Sequence, residues 1–305
     1  MSNLVDTILS KCKNTFMKLP AFIELLKPIT WFPPMWAFSC GAISSGEPFS
    51  EHWQIVLLGI VLTGPLVCAS SQAVNDWFDR HVDAINEPNR PIPSGRIPGR
   101  WGLYLGIIWS LLSLIVSSFL GTWGFFATLL ALAFSWAYSM PPIRLKQNGW
   151  YGNLACSVSY EGLAWITGAA LLSAGNTPSK SSLLFAGLYS VGAHGIMTLN
   201  DFKAIEGDKK MGVRSLPVQL GASLAAKTAC FIMLFPQLIV CIYLYTEGKI
   251  WNCVAILILI IFQLVLMKYF IDKPVERALF YSGFGVPLFV CGMMIAAFGI
   301  RHLGA

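Results

Sequence analysis

Charged residues are scarce in this chain: Asp, Glu, Lys and Arg make up 12% of its 305 residues, and the 43 residues from Trp101 to Ile143 contain none. Soluble domains carry about a quarter charged residues, so composition alone excludes that class. A cleavable leader is not expected either. The first nineteen residues hold Lys11, Lys13 and Lys18 but no apolar core followed by a small-residue cleavage site. Residues 1–27 read instead as an amphipathic, surface-lying segment on the cytoplasmic side. The eight cysteines lack any paired spacing, which excludes zinc and redox motifs and leaves them as small apolar packing residues. Four histidines are scattered. The net charge of +6 lies in short loops and does not point to nucleic acid.

What the chain has in excess is apolar surface: 55% hydrophobic residues and a mean hydropathy of +0.63. The long uncharged stretch alone is worth about two bilayer crossings at roughly 20 residues each. Apolar runs suggest nine spans, at about 29–46, 53–75, 102–120, 122–140, 154–175, 181–200, 224–246, 250–268 and 278–299. Eighteen of the 21 Lys and Arg residues then fall on the side of the N-terminus, and only Lys180, Lys249 and Arg301 on the other. The positive-inside rule puts the N-terminus in the cytoplasm and the C-terminus outside.

Polar chemistry is concentrated in two places. The run ending at Val74 is followed by Asn75, Asp76, Asp79 and Asp83, and the run ending at Leu199 by Asn200, Asp201, Glu206 and Asp208. With Glu87, these segments hold seven of the 15 acidic residues. At 3.6 residues per turn, Asn75, Asp79 and Asp83 are expected on one helical face with Asp76 beside them. Such carboxylates repel unless some protonate or a cation joins them. Mg²⁺ suits the set, because it takes a few carboxylates and completes its shell with water and phosphate oxygens. One acidic helix end is ordinarily just solvated; a second copy, again followed by Arg and Pro, favours a site. The ligand this implies is a Mg²⁺–diphosphate. Arg80, Arg90, Arg96, Lys203, Lys209 and Arg214 are the candidate cations for its remaining oxygens.

The stiff loop from Asn86 to Arg96 would hold Arg90 and Arg96 over such a ligand, or simply connect two spans. Tyr138 stands at the exit of the fourth run. Glu161 lies inside an apolar run, where a carboxylate is costly; it binds substrate, or is neutral or paired. His194, two turns before Asp201, is most simply a satisfied buried histidine, although it could also reach a bound headgroup.

The strings NDWFDRHVDAINEPNRPIPSGRIP (75–98), NDFKAIEGD (200–208) and VRSLPVQLG (213–221) resemble the UbiA superfamily of membrane prenyltransferases. Within it they resemble the pigment branch, the chlorophyll and bacteriochlorophyll synthases. LLKPITWFPPMWAF, GPLVCASSQA, SGRIPGRWGLY and AHGIMTLNDFKA are similar to the bacteriochlorophyll members. The resemblance implies an all-α membrane bundle of nine helices, with two acidic motifs at the cytoplasmic mouth of a central cavity. It implies two Mg²⁺ ions and metal ligands among Asp76, Asp79, Asp83, Asp201, Glu206 and Asp208. Ala204 stands where many members carry an Asp, leaving Asp201 and Glu206 as alternatives for completing the second site.

The activity so implied is Mg²⁺-dependent esterification of the propionate of bacteriochlorophyllide by geranylgeranyl or phytyl diphosphate in a bacterial inner membrane. Asp79, Asp83, Asp201 and Asp208 would be the catalytic acids. Partners would be both substrates, membrane lipid and pigment-biosynthesis or assembly proteins, with no nucleic acid. A chlorophyll precursor, quinone precursor or haem as acceptor is the alternative; carbon attack would then need a base such as Glu161 or Asp76. A transporter would place its charges near mid-membrane, and here only Glu161 lies deep.

Overall fold

The computed structural model describes residues 19–173, 177–301 and 303. The first eighteen residues of the expected amphipathic segment lie outside these. Its remainder forms a short helix, α1 (Leu19–Leu26), with Ala21, Leu25 and Leu26 buried on one side. The other helices are α2 (Phe32–Ser44), α3 (Phe49–Val61), α4 (Ala69–Asn86), α5 (Trp101–Ser118), α6 (Gly121–Ser139), α7 (Gly149–Ser157) and α8 (Ala164–Leu172). They are followed by α9 (Lys180–Asp201), α10 (Ile205–Met211), α11 (Leu216–Leu220), α12 (Ala222–Thr246), α13 (Ile250–Asp272) and α14 (Pro274–Ile300). Two π-helical stretches, Leu62–Cys68 and Val158–Leu163, join α3 to α4 and α7 to α8 without a break.

The expectation of nine spans is not met: six helices among the described residues are long and apolar enough to cross a bilayer. They are Ser50–Asn86, Trp101–Ser118, Lys180–Asp201, Ala222–Thr246, Ile250–Asp272 and Pro274–Ile300. The run at 29–46 becomes a 13-residue helix, because Pro33 and Pro34 set its start and Ser44 its end. The run at 122–140 forms a 19-residue helix whose Gly, Thr, Trp, Ser and Tyr residues hold its hydropathy down. The run at 154–175 is interrupted by the second π stretch, which carries Glu161. Apolar composition and an unbroken apolar helix of spanning length are different properties. The chain is thus a multi-pass, mostly helical membrane protein, with six such spans among the described residues.

Lipid replaces water as the solvent of the outer surface. Only 28% of the most apolar stretch of α13 is buried within the protein, and Trp251, Ile261, Phe262 and Val265 are exposed on it. Inside, small residues let helices touch. A Cβ at Gly41 of α2 would stand 1.9 Å from the Trp165 carbonyl oxygen of α8, and one at Gly168 of α8 2.1 Å from the Phe38 carbonyl oxygen. Polar side chains also join helices across this dry interior. Gln237 of α12 and Gln263 of α13 exchange amide hydrogen bonds of 3.1 and 3.0 Å. Ser70 of α4 meets Ser110 of α5 at 2.8 Å.

Candidate active site

The polar residues in the C-terminal half of α4 share one broad arc, whose two edges meet different cations. At about 100° per residue, positions seven apart fall about 20° from alignment, whereas positions eight apart diverge by about 80°. Asp76 and Asp83 therefore point together, and Asp83 leaves Asn75. The structure follows this geometry. Arg90 Nη1 donates to Asp83 Oδ2 at 3.0 Å and reaches Asp76 Oδ1 at 3.5 Å, while Lys27 Nζ donates to Asp76 Oδ1 at 2.6 Å. Toward the other edge, Asp79 accepts from Asn75 Nδ2 and Arg144 Nη2, each at 3.1 Å, and from Lys146. Burial works to lower the Arg90 pKa, but Glu87, Asp76 and Asp83 outweigh it and hold the guanidinium charge firmly. Burial pulls the Lys146 ammonium below its ordinary value, and Asp79 offsets only part of this.

Two of these cations sit in strained backbone. Lys27 (φ 46°) and Arg144 (φ 40°) are left-handed, a conformation that costs a side-chain-bearing residue roughly 1–2 kcal/mol. Surrounding contacts must hold them there, and both side chains end on α4 carboxylates.

The second acidic segment is less enclosed. Asp201 ends α9 and accepts from Asn153 Nδ2 of α7 at 3.2 Å. Asp208 lies half-buried on α10, and burial raises its carboxyl above the usual range. Glu206, Lys203, Lys209 and Arg214 are exposed. The segment is nevertheless stitched to the surroundings of the first. The Gly149 amide donates to the Arg214 carbonyl at 2.8 Å, and the Arg214 amide to the Gln147 carbonyl at 2.9 Å, one residue past Lys146. Asn86, the last residue of α4, touches Met211, the last residue of α10, at 4.0 Å.

Beneath lies a cavity of about 370 Å³ between α4, α6 and the α7–α8 helix. Its polar residues include Asn75, Asn200, Tyr138, Gln72 and Tyr160; Val67, Ala131, Phe134 and Leu163 are among the apolar ones. Gln72 Nε2 donates to the Tyr160 hydroxyl at 3.1 Å. The expectation of carboxylates around the mouth of a central cavity is not met. Both leading asparagines line it and none of the acidic side chains does. Asp76, Asp79 and Asp83 turn instead to Lys27, Arg90, Arg144 and Lys146, which offset the repulsion among like charges.

Several expected residues fall elsewhere. Arg96 forms a two-pronged pair with Glu24 of α1, at 2.6 and 2.9 Å, and secures that helix. Arg80 lies 4.1 Å over the Trp77 ring and donates to the Trp77 carbonyl. His194 Nε2 sits 3.2 Å from the Trp150 carbonyl. Glu161 is buried outside the cavity lining. Missed by sequence reasoning were Lys27, Arg144 and Lys146 as partners of the acids, and Asn200 as a lining residue. A basic residue within two positions of a proline, Lys27 before Pro28 and Arg144 after Pro141-Pro142, was the available signal.

Among the described residues no three His, Cys, Asp or Glu side chains stand together as a ready metal cage. A magnesium ion asks for less, because one or two carboxylates and substrate phosphates complete its shell with water. Asp76 and Asp83 converge on a single Arg90 nitrogen, and Asp76 Oδ2 is buried without a partner. That pair fits one such ion.

The sequence pattern of the UbiA prenyltransferase family matches residues 30–299. The chain is similar to the bacteriochlorophyll synthase 33 kDa chain of Rhodobacter capsulatus, 54% identical over 96% of this chain and 97% of that one. It is 37% identical to the chloroplastic chlorophyll synthase of Oryza sativa, over 96% of this chain and 79% of that one. In fold it matches a digeranylgeranylglyceryl phosphate synthase structure (TM-score 0.71, 22% identity, 93% and 99% coverage). It also matches a UbiA homolog from Archaeoglobus fulgidus bound to DMAPP and Mg²⁺ (TM-score 0.65, 17% identity, 92% and 99% coverage). The chain belongs to the UbiA prenyltransferase family.

Proposed function

We propose that the chain is a bacteriochlorophyll synthase: it transfers a prenyl group from its diphosphate to the propionate of bacteriochlorophyllide and releases diphosphate. Near-full-length similarity to bacteriochlorophyll synthases supports the acceptor. The observation that carries the chemistry is the Asn75–Asp79 contact, which joins the polar end of the cavity to the Arg144 and Lys146 cations. A donor with its apolar chain in the cavity would meet those cations with its diphosphate. The cavity lies near the lower end of the 300–1,000 Å³ typical of small-molecule sites, which suits a chain and leaves a macrocycle to approach from outside. Geranylgeranyl and phytyl diphosphate are the expected donors.

Lys27, Arg90, Arg144 and Lys146 would take the charge of the leaving group, with the carboxylates ordering them. Mg²⁺, held by Asp76 and Asp83 and, in a second site, by Asp208 with Asp201 or Glu206, would supply Lewis-acid neutralisation of diphosphate oxygens. The leaving oxygen departs from the allylic carbon, and the apolar cavity wall keeps water from that carbon. The acceptor carboxylate, with a pKa of about 4, is already ionised at pH 7, so no side chain need remove a proton. The base role open to Glu161 in a carbon-alkylating enzyme is not required. All 305 residues would work as one unit in a bacterial inner membrane. The Lys and Arg residues that flank both acidic segments support a cytoplasmic placement for those segments.

Asp79→Asn tests this reading. It leaves Arg144 and Lys146 without their anion and should lower kcat/KM at least about a hundredfold, the scale of one preorganised electrostatic group. Near-normal turnover by a folded variant would refute it.

A further inference from the structure

The cavity is elongated, and its far end is built in a way that simple donor binding does not require. Along the continuous α3–α4 helix its lining runs from Asn75 back to Thr63; on α6 from Tyr138 to Thr128 and the adjoining Ala127; and along α7–α8 from Ala155 to Thr167. At about 1.5 Å per residue these runs measure about 18, 15 and 18 Å. Each begins toward the end of its helix near Asp79, Arg144 and Lys146, so three threonines from three helices form the far wall.

The Thr63 hydroxyl donates to the Gly59 carbonyl at 3.0 Å and the Thr167 hydroxyl to the Leu163 carbonyl at 2.7 Å. Their hydrogen bonding is thus met within their own helices, leaving the methyl groups as the surface offered. One turn beyond, the helices close. A Cβ at Gly59 would stand 2.1 Å from Phe38 Cζ, and one at Gly124 3.7 Å from the Thr167 methyl carbon. The threonine tier therefore rests on a packed floor.

We infer that Thr63, Thr128 and Thr167 limit the length of the prenyl donor to four isoprene units. This rests on the prenyl-transfer reading above. An extended covalent chain advances about 1.2 Å per backbone bond, and an isoprene unit adds four bonds, about 5 Å. With its first unit at the polar end, a four-unit donor sends the other three about 15 Å onward, to the tier. A fifth unit would have to displace threonine methyls backed by Phe38 and Gly124.

The test is kcat/KM of the full chain in lipid nanodiscs for donors of two to five isoprene units. Wild type should favour four units over five by at least about tenfold, the discrimination that one methylene commands in an apolar pocket. Thr128→Leu should move the ratio of three-unit to four-unit turnover at least about tenfold toward the shorter donor. The double variant Thr63→Ala, Thr128→Ala should move the five-unit to four-unit ratio by a similar factor toward the longer one, and it decides the matter alone if the leucine variant does not fold. Length profiles parallel to wild type in the folded variants would overturn the tier. A wild-type protein that turns over no prenyl donor would instead overturn the prenyl-transfer reading itself.

Discussion

Replacing Arg90 with Ala separates two consequences that a merely structural arginine would not. Its Nη1 lies 3.0 Å from Asp83 and 3.5 Å from Asp76, and its Nε 2.5 Å from Glu87. The Glu87 contact is 56% exposed on the acid side and worth at most a few tenths of a kcal/mol. The Asp76 and Asp83 side chains are 2% and 10% exposed, so that arm dominates. A charge-assisted hydrogen bond to an ionised partner is worth about 1.5–3 kcal/mol, or about ten- to a hundredfold in binding. If Arg90 grips the departing diphosphate, Arg90→Ala should raise KM for the prenyl diphosphate by that factor. Removing a cation from between two carboxylates should at the same time tighten Mg²⁺ binding in the absence of donor, because the ion no longer competes with a guanidinium. Steady-state kinetics measures the first and titration calorimetry with Mg²⁺ alone the second. Arg90→Lys should recover the charge but not the fork. An unchanged KM, or weaker Mg²⁺ binding, would refute the assignment of Arg90 and of the Asp76–Asp83 pair.

The α2–α8 crossing should be intolerant of a single methyl group. Gly41→Ala and Gly168→Ala would each drive a Cβ to about 2 Å from a backbone carbonyl oxygen, which cannot rotate away, and should cost about 3 kcal/mol or more in detergent unfolding. Gly187→Ala on α9, with nothing within 4 Å of the added carbon, should be neutral or stabilising. The docking of α1 should depend on pH. The Arg96 hydrogen bonds hold Glu24 below its ordinary value of 4.5; burial opposes them, and the Arg96 charge adds a smaller pull downward. A depressed carboxyl stabilises the folded form fully above its unfolded pKa and loses that contribution as pH falls through the folded value. A cysteine at Ala21, buried on α1, should label faster as pH falls below about 4.5. In Arg96→Ala it should label fast already at neutral pH.

Sequence was a good guide where local periodicity governs the outcome and a poor one where distant segments meet. Apolar runs correctly indicated a helical membrane protein. They overcounted spans because Pro33, Pro34 and the π stretch at Val158–Leu163 shorten or interrupt helices without changing composition. The acidic residues of α4 were found from spacing, but spacing does not tell which cation each of them meets. The cations that answer them could not be read from spacing. Lys27 and Lys146 lie 49 and 67 positions from their acids in the chain and arrive through loops in left-handed turns. Arg96 was expected at the site from its proline-rich loop, yet the folded loop turns it to Glu24.

The most direct test of the whole account is a mass-spectrometric readout of product. Purified protein in lipid would be given bacteriochlorophyllide and a quinone precursor together, with geranylgeranyl diphosphate and Mg²⁺. The account predicts one new species, the geranylgeranyl ester of the pigment, absent when Mg²⁺ is chelated and restored on its return. Prenylation of the quinone precursor with the pigment left as its free acid would contradict it.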